Sequence, residues 1–167
     1  VKAIDGHSNI TEASLKSSKI FVIPEANIPF KESEQAAIVK YVKQGGNVVF
    51  ISDHYNADRN LNRIDSSEAM NGYRRGAYED MSKGMNAEEK SSTAMQGVKS
   101  SDWLSTNFGV RFRYNALGDL NTSNIVSSKE SFGITEGVKS VSMHAGSTLA
   151  ITNPEKAKGI VYTPEQL

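Results

Sequence analysis

Two short apolar runs, Lys19–Pro24 (KIFVIP) and Asn47–Ser52 (NVVFIS), limit the folds open to this chain more than any other feature. Neither run alternates cleanly between apolar and polar residues. Strands of this kind suit burial on both faces, as in a parallel sheet covered by helices. Between them lies Glu32–Gln44, where Ala37, Ile38, Tyr41 and Val42 recur at helical spacing and mark one apolar stripe. Gly45-Gly46 supplies a left-handed stop to that helix. Strand, helix and strand joined by short links predict an α/β class with a parallel sheet.

The rest of the chain reads in three parts. Val1–Ile4 is a short strand candidate, and Thr11 is placed to cap a helix running to Lys16, with Ile10 and Leu15 as its apolar contacts. From Asp53 to Ser100 aliphatic residues are scarce, and Ala87–Met95 is the clearest helix in this long polar insertion. Regular patterning resumes at Ser101, a good cap for a helix carrying Trp103, Leu104 and Phe108 and closed by Gly109. Strands are then expected over 110–114, 138–143, 147–152 and 159–162. The expected organisation is one domain over residues 1–167, with an insertion over about 53–100.

Composition removes several functions. There is no cysteine, hence no disulfide, no thiolate nucleophile and no Cys-type zinc site. Nineteen basic residues balance nineteen acidic ones, so charge does not favour nucleic acid as a partner unless arginines gather on one face. No apolar run approaches the ~20 residues of a membrane helix, so membrane insertion is not expected. The chain starts at Val1 without an initiator Met, and residues preceding it are expected to have been removed. GxGxxG, GxxxxGK[ST], GxSxG and HExxH are all missing, which weighs against dinucleotide, P-loop, α/β-hydrolase and zincin readings.

In open parallel sheets, ligands bind beyond the carboxyl ends of the strands. Asp53 and His54 follow NVVFIS directly, so they are the first candidates for catalysis or for a divalent metal ion. Asn56, Asp58, Arg59 and Asn60 come next as ligand-binding candidates; Asp58 could add a third metal ligand, and Arg59 could hold a phosphate or carboxylate. The competing role for Asp53 or Asp58 is to cap the next turn. His144, in MHAGS at the end of a strand candidate, would complete a two-His, one-carboxylate metal site if it converged with Asp53 and His54. Tyr73, Arg74 and Arg75, with Tyr78, could form a pocket for an anion or a sugar. The alternative is a surface loop stitched by ion pairs with Glu68, Glu79 and Asp80. Asn115 and Asp119 could cap turns or line the same crevice.

Beyond these local patterns, YVKQGGNVVFIS followed by DWLSTNFGVRF resembles the helix–strand steps of the class I glutamine-amidotransferase-like superfamily, in its DUF4350-like, ThuA-like and GIFT-like branches. FVIPEANIPF, ISDHYNADRN, MNGYRRGAYED and MHAGST are similar to a Gram-positive, often exported family usually described as DNA-binding or uncharacterised. The resemblance implies a three-layer, mainly parallel, flavodoxin-like sheet, an exported or cell-surface location, and an additional strand with a His-containing segment ahead of Val1. With no Cys after the central strand, glutamine hydrolysis by the superfamily's usual route is excluded. Two functions are expected in its place. One is a hydrolase-like domain acting on a small polar or carbohydrate substrate, with a divalent metal at Asp53, His54 and His144. The other is a non-catalytic module that binds carbohydrate or nucleic acid.

Overall fold

The structure is a computed structural model and describes residues 1–57 and 64–164. Thr11 opens α1 (Glu12–Leu15) as expected: its hydroxyl accepts the Ser14 N–H at 3.1 Å, and the Thr11 N–H donates to the Ser14 hydroxyl at 3.0 Å. β1 (Ile20–Pro24) and β2 (Asn47–Ile51) pair in parallel, with Ile20 beside Asn47 and Ile23 beside Phe50. α2 (Glu32–Lys43) connects them and buries Ala37, Ile38 and Tyr41 of the stripe read from the sequence, with its fourth member, Val42, only partly buried against the core. The double glycine has two separate causes. Gly45 holds φ at 93°, which a side chain resists, and a Cβ on Gly46 would lie 2.3 Å from the Tyr41 ring.

The polar insertion contains α3 (Ser66–Asn71) and α4 (Ala87–Ser91), so the helix expected over Ala87–Met95 is cut short. All six residues of α3 are buried. Ile64, Ala69, Met81 and Met85 form a small apolar cluster of their own, with Met95 and Val98 against it. α5 (Trp103–Phe108) follows, with Asp102 rather than Ser101 at its cap position. Trp103 is the hub of the main core: Phe30, Phe50 and Phe108 meet it edge-on at centroid distances of 5.8, 5.9 and 6.0 Å.

The sheet differs from the expected three-layer, mainly parallel, flavodoxin-like form. The described residues make three separate two-stranded ladders. Only β1–β2 is parallel. β3 (Val110–Phe112) runs antiparallel to β6 (Leu149–Ile151), and β4 (Leu120–Thr122) antiparallel to β5 (Val141–Met143). The expected strand over 159–162 supplies an isolated bridge from Val161 to Ile125, and Val1–Ile4 lies outside every ladder.

The reason lies in the two apolar runs. Phe21, Ile23, Val48 and Phe50 pack on the core, but Ile20, Val22, Val49 and Ile51 on the opposite face are 60%, 48%, 44% and 44% exposed. An apolar run suits burial on both faces, and here one face is uncovered. The later strands, three residues each, pair by antiparallel contacts and never join β1–β2.

One side chain ties the insertion to the C-terminal half. Asn71, fully buried, donates from its amide to the Phe112 carbonyl at 2.9 Å and accepts the Phe112 N–H at 2.9 Å. It thereby acts as a strand partner for β3. Asn71→Ala would leave two buried backbone groups unpaired, so it should lower the unfolding free energy by about 2–4 kcal/mol. Urea denaturation measures this, and a loss below about 0.5 kcal/mol would contradict the strand-partner role.

Candidate functional site

The carboxyl end of β2 is fastened to the start of α3. The Ser52 and Ser66 hydroxyls lie 2.6 Å apart, and Ser66 also accepts the Asp53 N–H at 3.1 Å. Asp53 turns one oxygen onto the N–H of the next residue, His54, at 2.6 Å. His54 Nδ1 lies 2.8 Å from the Tyr55 carbonyl. A carbonyl only accepts, so in the neutral ring Nδ1 carries the proton and Nε2 keeps its lone pair. That nitrogen is 3.9 Å from Asp53 Oδ1. Asn56 sits in a left-handed turn at φ 59°, its N–H held by Asp65 Oδ2 at 3.2 Å.

Beside this strand end stands a cluster of rings and guanidinium groups built on Glu68. This carboxylate is buried in α3. It accepts the Asp65 N–H at 3.1 Å and the Arg75 N–H at 2.9 Å, and it pairs with Arg74 Nε at 3.3 Å. Gly72 makes the bend after α3 possible: its φ is 90°, and a Cβ there would meet the Ser101 carbonyl at 2.6 Å. The result is a division of labour between neighbours. Arg74 is turned inward, its side chain only 11% exposed. Arg75 is turned outward, its guanidinium 4.5 Å from the centre of the Tyr55 ring and 5.9 Å from that of Tyr114. Among the described residues no carboxylate lies within ion-pair reach of Arg75.

Tyr73 and Tyr78 stack at 4.1 Å with planes 16° apart, Tyr73 buried and Tyr78 exposed. Burial, and then a hydrogen bond with Tyr78, push the Tyr73 phenol above its ordinary range. Burial raises Tyr114 likewise, and its hydroxyl donates to the Tyr73 carbonyl at 3.2 Å. Arg111 closes the back of the cluster through a two-pronged pair with Asp102, Nε to Oδ1 at 3.0 Å, which keeps it charged.

The sequence candidates therefore scatter. Tyr73, Arg74, Arg75 and Tyr78 gather in one cluster, next to the Asp53–His54 strand end through Tyr55. Asn115 approaches too, but its side chain holds Thr148, donating at 2.9 Å and accepting at 3.0 Å, while its carbonyl accepts the Tyr55 N–H at 3.0 Å. His144 lies out on the surface, 87% exposed, paired with Asp119. Asp58, Arg59 and Asn60 fall outside the described residues. Among the described residues no group of three or more His, Asp and Glu stands ready for a metal ion. Sequence reasoning overlooked Tyr55, Tyr114 and the anchoring role of Glu68. Asp65-Ser66-Ser67-Glu68 has the spacing of a helix-start signature, and that signal would have placed Glu68 against backbone.

No protein-family model matches the chain, and no curated protein does. A solved structure, the mmIFT52 N-terminal domain, is similar to it with a TM-score of 0.50 and 13% identity. The match covers 88% of this chain and 54% of that one, so this chain spans about half of the other's length. At such identity the likeness speaks to fold alone. These findings overturn the resemblance read from the sequence. The structural neighbour and the three small ladders replace the glutamine-amidotransferase-like and flavodoxin-like assignments, and the exported Gram-positive family goes with them. No helix among the described residues is long and apolar enough to cross a membrane.

The raised phenols have a consequence at high pH. A tyrosine whose folded pKa is raised contributes stability that is complete below its unfolded pKa of about 10. Above that, the unfolded chain ionises first and stability falls. Of the six tyrosines, Tyr73 and Tyr114 should ionise only as near-ultraviolet circular dichroism is lost. Phenolate absorbance against pH tests this; reversible titration of all six near pH ~10 would contradict it.

Proposed function

We propose that this chain binds an acidic saccharide at the carboxyl end of β2, with Arg75 receiving the carboxylate and the exposed tyrosines receiving the sugar ring. The observation that carries this reading is the Arg75 guanidinium, laid over Tyr55 with no carboxylate of its own among the described residues. A guanidinium in this setting offers a planar fork of donors to a ligand carboxylate. Tyr55 and Tyr78, 43% and 56% exposed, are flat apolar surfaces on which a sugar face can rest.

Catalysis is a second reading, supported by His54. With Nδ1 held by the Tyr55 carbonyl, Nε2 is the nitrogen able to take a proton from water, and Asp53 stands near enough to steady the imidazolium that forms. In hydrolysis of a bound saccharide, the water oxygen would bond the anomeric carbon as the glycosidic C–O bond breaks, and the proton taken by Nε2 would return to the departing oxygen. Nucleic acid is a weaker fit. Of the described arginines, Arg74 and Arg111 already face Glu68 and Asp102, which leaves fewer of them for phosphates.

Calorimetry with a glucuronate-containing oligosaccharide and its neutral counterpart tests the binding. Only the acidic sugar should bind, and Arg75→Ala should weaken it by about tenfold or more, with the melting temperature kept. Arg75→Lys should restore part of the affinity, because lysine brings charge without the fork. Equal binding of both sugars, or an indifferent Arg75→Ala, would contradict the reading. For catalysis, His54→Ala should abolish cleavage of that oligosaccharide while leaving its binding intact.

A further inference from the structure

We propose, resting on the acidic-saccharide reading above, that the neighbouring unit of the ligand is an uncharged sugar seated in the groove lined by Tyr78, Met81 and Lys90, so that the chain selects saccharides in which acidic and neutral units alternate. The groove holds about 570 Å³, within the range of small-molecule sites. It adjoins the Arg75 cluster through the chain itself. Arg74 and Ala77 form an isolated bridge, and the Ala77 N–H donates to the Arg74 carbonyl at 3.1 Å. The Asp80 N–H then donates to the Ala77 carbonyl at 3.1 Å. Arg75 therefore stands at one bend and Tyr78 at the next. The Lys83 amine fastens the two, donating to the Gly76 carbonyl at 3.2 Å, while Ser82 beside it lines the groove. Tyr73 covers one face of the Tyr78 ring, and Tyr78 stays exposed. Tyr78 thus belongs to both places, as a platform near Arg75 and as a wall of the groove.

The chemistry of the lining selects the unit that fits. Part of it is apolar: Met81 is buried, and Met95 and Val98 pack against the same cluster. Methionine and tyrosine surfaces suit the C–H face of a pyranose. The polar part is balanced in charge. Glu79 and Asp80 bring two carboxylates, and Lys90 and Lys99 bring two ammonium groups. Lys99 is already held by Glu32 at 2.7 Å. Among the described residues Lys90 and Glu79 have no ion-pair partner. Asp80 uses Oδ1 for the Ser82 N–H at 3.0 Å and the Ser82 hydroxyl at 2.6 Å, which leaves Oδ2 for a ligand. Those bonds with Ser82, and then the charge of Lys90, hold the Asp80 carboxyl below its ordinary range, so it stays ionised. A second uronate would face two carboxylates against one uncommitted ammonium. Sugar hydroxyls meet no such conflict, because they donate to Glu79 and Asp80 and accept from Lys90. The free charge of Arg75 and the balanced charge of the groove together call for an acidic unit beside a neutral one.

Calorimetry on the purified chain compares glucuronate, a tetrasaccharide alternating glucuronate with N-acetylglucosamine, and a tetrasaccharide of glucuronate alone. The alternating tetrasaccharide should bind about tenfold more tightly than either of the others. Lys90 is exposed, so Lys90→Ala should leave the fold intact. It should weaken the alternating tetrasaccharide about tenfold and leave glucuronate unchanged, whereas Arg75→Ala should weaken both. An alternating tetrasaccharide that binds no better than glucuronate, or that is indifferent to Lys90→Ala, overturns the groove and leaves the Arg75 site standing. Equal binding of the two tetrasaccharides overturns the neutral unit. Failure of all three to bind overturns the acidic-saccharide reading itself, and the groove assignment falls with it.

Discussion

A single buried carboxylate organises the region on which the functional reading rests. Glu68 accepts backbone N–H groups from before and after its helix and pairs with the Arg74 guanidinium. An unpaired carboxylate at this depth would cost several kcal/mol, on the order seen for buried ions generally. Each of its partners offsets part of that cost, and each is thereby held in place. The consequence for Arg75 is geometric. With its own N–H fixed on Glu68 and Arg74 turned inward, its side chain is free to lie across Tyr55 at the end of β2. Removal of Glu68 would loosen the bend, the ion pair and the placement of Arg75 together, because they share one acceptor.

The same device recurs at the start of α2. Glu34, also buried, accepts the Lys31 N–H at 2.9 Å and the Ile10 N–H at 2.9 Å. In both places a glutamate in the first turn reaches back to donors that the helix cannot satisfy, and both lie near the favourable end of the helix dipole. Asn71 does the corresponding work for a strand, offering β3 the donor and acceptor that a neighbouring strand would give. Side chains thus replace missing backbone partners where the ladders among the described residues are two strands wide. This explains how a chain with short elements and a long polar insertion still forms a shared core around Trp103.

Local patterns were legible in the sequence where one physical cause dominated. The stripe of Ala37, Ile38 and Tyr41, the Thr11 cap and the Gly45-Gly46 stop all depend on neighbours within a few residues, and the structure holds them as read. The sheet was not legible, because an apolar strand looks alike whether one or both of its faces are covered. Ile20 and Val22 are as hydrophobic as Ile23, yet they lie on the open face. The family resemblance failed for a related reason. A GG-to-strand step and an aromatic helix before a strand recur wherever a helix must stop tightly and feed a sheet, so they mark a local solution and not a fold. In the site, Tyr73, Arg74 and Arg75 were legible as a dense polar run. Tyr55 and Tyr114 were not, since only folding brings positions 55, 75 and 114 together.

The central claim is that Arg75 is an anion-receiving group held ready by the fold. The Nε–Hε NMR resonance of Arg75, followed while glucuronate is added, tests that claim at the atom concerned. The account predicts a saturable shift of this resonance, ahead of any change at Arg74, whose guanidinium already faces Glu68. A resonance that stays still while others move would place the ligand elsewhere, and one that stays still with no other change would show that the cluster only holds the loop in shape.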